Sequence, residues 1–175
     1  MKKRPKLSRA ILLRSARLAV ASSTVRGSGI PGLVDEIREA LSRVRLSSFR
    51  TTSRREFRRA LDRWTLWIEA AVPKRHCPWG LSRKCLNIFL RDCYYNSFLQ
   101  SQFGSKVSGD WFEVPLDSIT GGRLHKEHPG IAPRWKTVRD LDPESSDRFQ
   151  EAARELAASW GIARVHLDTY LWVQR

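Results

Sequence analysis

The sequence predicts an all-α protein, and three observations carry that reading. Apolar residues recur at helical spacing through most of the chain. No run alternates apolar and polar residues over the length of a strand, and Pro, Gly and capping residues fall where helices would start and stop. At 175 residues and 41% hydrophobic composition, the chain is long enough for a real core, and wholesale disorder is excluded.

The opening MKKRPKLSRAILLRSARLAVASS begins like a secretion signal, but Arg14 and Arg17 interrupt its apolar stretch. It reads as a basic amphipathic helix or arm, with a transit peptide left open for a source with organelles. STVRGSGIPG (23–32) is a linker by composition. The expected organisation is therefore an arm and linker over 1–32 and a single helical domain over 33–175. Within that domain, Leu33 to Leu46 carries apolar residues at 33, 34, 37, 41 and 44, a helical period.

Ser53-Arg-Arg-Glu56 has the form of a capping box and opens REFRRALDRWTLWIEAAV, whose apolar stripe is 57, 61, 64, 68 and 71. PKRHCPWG (73–80) breaks the pattern. GLSRKCLNIFL, continuing as RDCYYNSFL, is apolar on nearly every face, as a central helix must be. Beyond the polar SQFGSKVSGD, Pro115 holds the residue before it extended, and Asp117 is placed to cap a short helix. Asp142-Pro143 starts the next helix, which stops at Gly161. In the closing GIARVHLDTYLWVQR, Asp168 is the expected cap of a last short helix.

Charge is placed unevenly. Of the formal +14, residues 1–76 hold 19 Lys/Arg against 6 Asp/Glu (+13), and residues 77–175 hold 13 against 12 (+1). This asymmetry points to a polyanion, with nucleic acid first, an acidic membrane surface second, and a solvated basic face as the bland alternative. No stretch approaches the length of a membrane span, so an intracellular, cytoplasmic protein is expected, gathered on the nucleoid by DNA binding.

Cys77, Cys85 and Cys93 are odd in number and evenly spaced, which disfavours a disulfide framework. With His76 they match neither C-x2-C nor any iron–sulfur spacing, so structural thiols are expected and no metal or organic cofactor. His125, His128 and His166 add no metal-ligand spacing. His166, beside Asp168, either orients a pocket or is a satisfied structural histidine.

Lys84 is the residue that composition alone does not explain. It falls near the start of an apolar helix, where the dipole and burial would both disfavour an ammonium. That is the usual way to prepare a lysine nucleophile for Schiff-base chemistry. The structural alternative is a lysine that snorkels to the surface. Asp117 in VPLDS is likewise either a plain N-cap or a catalytic carboxylate.

Taken together, GLSRKCLNIFL and VPLDS resemble the helix-hairpin-helix DNA glycosylase superfamily, in which a lysine opens the second helix of the hairpin and V-P-x-D supplies an aspartate. The gap from Lys84 to Asp117 and the closing SWGIARVHLDTYLW are most similar to the archaeal GO glycosylase branch, which acts on 8-oxoguanine. The resemblance runs in patches from Gly80 to the C-terminus. It implies a helix-hairpin-helix domain acting as a monomer on duplex DNA with a damaged or modified base.

The roles it implies are Lys84 as Schiff-base nucleophile, Asp117 as catalytic carboxylate, and Asp168 and Trp172 as contacts to the flipped base. Taken singly, helix capping explains Asp168 and core packing explains Trp172. The usual L-P-G-x-G hairpin is replaced by CPWGLSRK, leaving Gly80 and the amides that follow it, with Ser82 and Arg83, as candidates for the DNA backbone. Trp67 and Trp64 are candidates for the second wall of the base pocket. The alternative reading is a non-catalytic basic helical DNA-binding protein, with RNA binding through the arginine-rich N-terminus as a third.

Overall fold

The computed structural model describes residues 6–25, 31–72 and 77–174, all of whose regular structure is helical. His76 lies outside the described residues. Eight α-helices follow in chain order: α1 Leu7–Ala19, α2 Leu33–Ser42, α3 Arg54–Ala71, α4 Trp79–Tyr95, α5 Ser97–Gln100, α6 Ser118–Glu127, α7 Pro143–Ser159 and α8 Arg164–Val173. Short 3-10 turns join several of them.

Two apolar clusters form the core. The first joins α1 to α4 and includes Leu12, Ile37, Phe57, Ile68, Cys85 and Phe89. The second gathers Val114 and Leu116 with α6, α7 and α8, through Leu124, Phe149 and Leu167. α1 packs against both α2 and α4, and Leu12, Ala16 and Ala19 are buried there. The boundary drawn after residue 32 thus cuts through one core, because the amphipathic face of α1 is wanted inside.

Several local expectations hold. Asp142 caps α7 by accepting from Ser145 N at 2.7 Å, with Pro143 in first position, and Gly161 follows the helix at φ +65°. Others change. Ser53 makes no side-chain cap; Thr51 accepts from Ser53 N at 3.1 Å, the bond Glu56 makes in a capping box, and donates to Glu56. α3 buries Phe57, Ala60, Leu61, Thr65 and Ile68, while Trp64 is only half-buried and Ala71 exposed. Asp168 is no cap, since α8 begins at Arg164 and Asp168 sits in its middle, buried.

α4 is the central helix that its composition demands, with ten of its residues buried. It starts earlier than expected. Leu81 N and Ser82 N both donate to Pro78 O, at 3.0 and 3.1 Å. Lys84 therefore lies in the second turn, where the field of the helix terminus is weaker than in the first. Cys77, Cys85 and Cys93 are buried free thiols, and burial pushes Cys85 and Cys93 well up from the ordinary thiol range.

Candidate active site

The polar side chains of α4 face the seam between the two clusters. Arg83 is the most deeply committed of them. Its guanidinium grips Glu113 with two bonds, Nε to Oε2 at 2.7 Å and Nη2 to Oε1 at 2.8 Å. It also donates to Thr65 Oγ1 and Asp62 Oδ1 of α3, both at 2.9 Å. Asn87, one turn further on, donates to Glu113 Oε2 at 3.2 Å.

Burial alone would raise the Glu113 carboxyl. The charge and bonds of Arg83, then the charges of Arg58 and Arg164, overcome this and hold it at about 2. Two further arginines thus crowd the same buried site. Arg58 bonds Glu113 and Asp147, and Arg164 donates to the backbone carbonyls of Trp111, Phe112 and Gln150.

This network fixes the segment that ends in Asp117. Glu113 is tied to α4, and Val114 exchanges two backbone bonds with the Gln150 side chain, at 2.9 and 2.8 Å. Three residues later Asp117 caps α6 with Oδ1, which accepts from Ile119 N and Thr120 N, both at 3.0 Å. Its other oxygen, Oδ2, lies 4.0 Å from Lys84 Nζ. The Lys84 side chain is 11% exposed and that of Asp117 31%, so the amine is nearly enclosed while the carboxylate opens to solvent. The amine also approaches Thr24 O at 3.5 Å, in the turn after α1.

Two turns along α4 from Lys84, Arg91 pairs directly with Asp168, which also accepts from Thr120 Oγ1 at 3.3 Å. One end of α6 thus joins both pairs: Asp117 at its cap faces Lys84, and Thr120 holds Asp168. Trp172 is one turn beyond Asp168 on α8 and 59% exposed. Tyr95 stacks on His166 with rings 5.6 Å apart and bonds its Nδ1 at 3.0 Å, so this histidine is anchored in a structural contact.

The structure therefore brings Lys84, Asp117 and Asp168 to one seam and leaves other expected residues elsewhere. Arg83 and Ser82 are buried, the first fully engaged by carboxylates and the second against Cys77 Sγ at 3.2 Å, so their side chains do not reach a DNA backbone. Gly80 is buried too. A Cβ there would stand 2.2 Å from Val138 O, so the missing side chain serves close packing. Asp168 is occupied by Arg91 and Thr120, and would contact a base only after Arg91 moves.

Trp64 and Trp67 lie at a different place. They line a cleft of about 860 Å³ whose walls include none of Lys84, Asp117, Asp168 and Trp172. They do not form the second wall of a pocket at Lys84. Glu113 and Arg91, which organise the seam, carry no local sequence signal, because their partners lie 30 and 77 residues away. Comparison with protein-family models, curated proteins and solved structures found no match.

Proposed function

We propose that this protein is a DNA glycosylase with β-lyase activity, which excises a damaged or modified base from duplex DNA; 8-oxoguanine is the base to which the sequence resemblance points. The observation that carries the reading is the meeting of Lys84 and Asp117. They come from different helices, 33 positions apart in the chain, and meet at 4.0 Å in a half-open seam. The basic N-terminal half supplies the phosphate affinity, which falls steeply with salt.

The chemistry follows from that pair. Breaking the N-glycosidic bond leaves positive charge on the sugar, and Asp117 Oδ2 stabilises it. The Lys84 amine bonds C1′ as the base departs with the electrons of the broken bond, and the proton released at the new C–N bond passes by way of Asp117 to the leaving base. Opening of the C1′–O4′ bond then gives a Schiff base, from which loss of a C2′ proton eliminates the 3′ phosphate and nicks the strand. Asp117 can cap α6 and serve the reaction at once, because the cap uses only Oδ1.

The alternative is a non-catalytic basic DNA-binding protein, favoured by the large arginine-lined cleft that contains neither Lys84 nor Asp117. Borohydride trapping separates the two. Purified protein and its Lys84→Gln variant would be mixed with duplexes carrying 8-oxoguanine, an abasic site or no lesion. A covalent band that needs both a lesion and Lys84 supports the glycosylase/lyase. Absence of any band, with tight duplex binding intact, refutes it in favour of the binding protein.

A further inference from the structure

A cleft of about 860 Å³ takes its cations and indoles from three parts of the chain. Arg9 comes from α1, Arg43 and Arg45 from the end of α2 and the strap after it, and Arg63, Trp64 and Trp67 from α3. Its volume suits one or two nucleotides rather than a duplex. The two indoles are held at its wall. Trp64 Nε1 donates to Ser48 Oγ at 2.6 Å, and Trp67 meets Trp64 edge to face, with centroids 5.3 Å apart and planes at 76°.

Each ring is half-buried, so the wall is rigid and still offers aromatic surface. The cations are differently disposed. Arg9 bonds Ser42 O and Arg43 pairs with Glu39 at 2.9 Å, whereas exposed Arg45 and Arg63 have no acidic partner among the described residues. A second, smaller cleft also reaches Trp67 and is lined by Asp35, Glu36 and Glu39 with Arg43, so the carboxylates lie on that side of the indole and not in the larger cleft.

A rigid aromatic wall beside unpaired arginines, in a cleft without carboxylates, suits a polymer with planar bases and an anionic backbone. In a duplex the base faces are stacked inside and out of reach of an indole. We propose that this cleft binds single-stranded nucleic acid, with an unpaired base against Trp67 or Trp64 and its phosphates on Arg45 and Arg63. The site is separate from the Lys84 seam and does not depend on the chemistry proposed there.

The test is fluorescence anisotropy of labelled, lesion-free dT12 and U12 with the full chain, between 50 and 200 mM salt, and a dodecamer duplex as competitor. The Arg45→Gln/Arg63→Gln double variant removes two exposed cations without touching the core. It should bind more weakly, with a salt slope shallower by about 1.4, at roughly 0.7 per phosphate contact.

Trp67→Ala should weaken binding about 5- to 140-fold, the range for losing one base stack. Arg134→Gln/Lys136→Gln, outside the cleft, removes the same charge and should leave affinity within about twofold. Preference for dT12 or U12 names the source as DNA or RNA. Two results would overturn the proposal: a cleft double variant no weaker than the Arg134/Lys136 control, or a duplex that competes as well as the single strand. Because the probes carry no lesion, failure here leaves the trapping experiment untouched, and the reverse holds as well.

Discussion

Glu113→Gln is the substitution that best probes how the seam is held. It keeps the shape of the side chain and removes the charge that Arg83, Asn87 and Arg58 converge on. The carboxyl is held at about 2 in the folded protein against an ordinary value of 4.5, a difference of 4.5 − 2 = 2.5. At about 1.36 kcal/mol for each unit, this corresponds to roughly 3 kcal/mol of stability at neutral pH.

An independent route gives the same order: breaking a buried ion pair costs about 3–5 kcal/mol, because the remaining charge is left without its counter-ion. The sign is that of a depressed carboxylate. Its stabilisation is complete above about pH 4.5 and is lost as pH falls through about 2. Urea unfolding followed by circular dichroism at pH 7 and pH 3 reads this directly. Glu113→Gln should be less stable by about 3 kcal/mol at pH 7, and the gap from wild type should narrow by about 2 kcal/mol at pH 3. A gap under about 1 kcal/mol at pH 7, or one equal at both pH values, would refute the account of this network.

Further substitutions probe the site itself. Asp117→Asn keeps a good N-cap and removes the carboxylate, so melting temperature should hold within a few degrees while single-turnover excision falls about 10²- to 10⁴-fold; loss of stability with activity retained would make the residue structural only. Gly121→Ala should cost about 1–3 kcal/mol in urea unfolding, because its Cβ would stand 2.2 Å from Trp135 Cε3, whereas Gly122→Ala, with nothing within 4 Å, should be neutral or gain up to about 1 kcal/mol. Asp168→Asn should destabilise by about 1 kcal/mol, because Arg91 loses one of its two carboxylate partners and keeps Asp92 at 2.9 Å. Trp172→Ala should lower single-turnover excision by at least about tenfold if the indole meets the flipped base, and excision equal to wild type would remove it from the base pocket.

The parts legible in the sequence were those set by neighbours in the chain. Asp117 and Asp142 act as caps because a side-chain oxygen reaches amides two or three residues on, and Gly161 ends α7 because the turn needs positive φ. Lys84 could be singled out because a cation conflicts with its apolar surroundings. Arg83 could not be told from a surface arginine, since its partners Glu113, Asp62 and Thr65 are distant in sequence and Glu113 sits in an irregular stretch. The same blindness assigned Trp64 and Trp67 to the Lys84 pocket: residue type predicts that an indole can stack, but only packing decides which cleft it faces.

Three cations on a central helix call for a reason, because each must lose much of its hydration. Arg83 and Arg91 resolve the problem with direct bonds to Glu113 and Asp168, contacts that clamp α4 to the segment before α6 and to α8. Buried pairs of this kind contribute modestly to net stability and more to fixing one arrangement. Lys84 lies between the two clamps on the same helix and is treated differently. Its carboxylate partner stands at 4.0 Å, beyond hydrogen-bonding reach, and is the more exposed of the two. A pair serving only to hold α4 and α6 together would be expected in direct contact, as Arg83 and Arg91 are with their carboxylates, whereas the Lys84 amine approaches Thr24 O, at 3.5 Å, more closely than Asp117. A rigid frame around one loosely paired amine and a half-open carboxylate supports the proposed reading of Lys84 as a nucleophile beside a carboxylate.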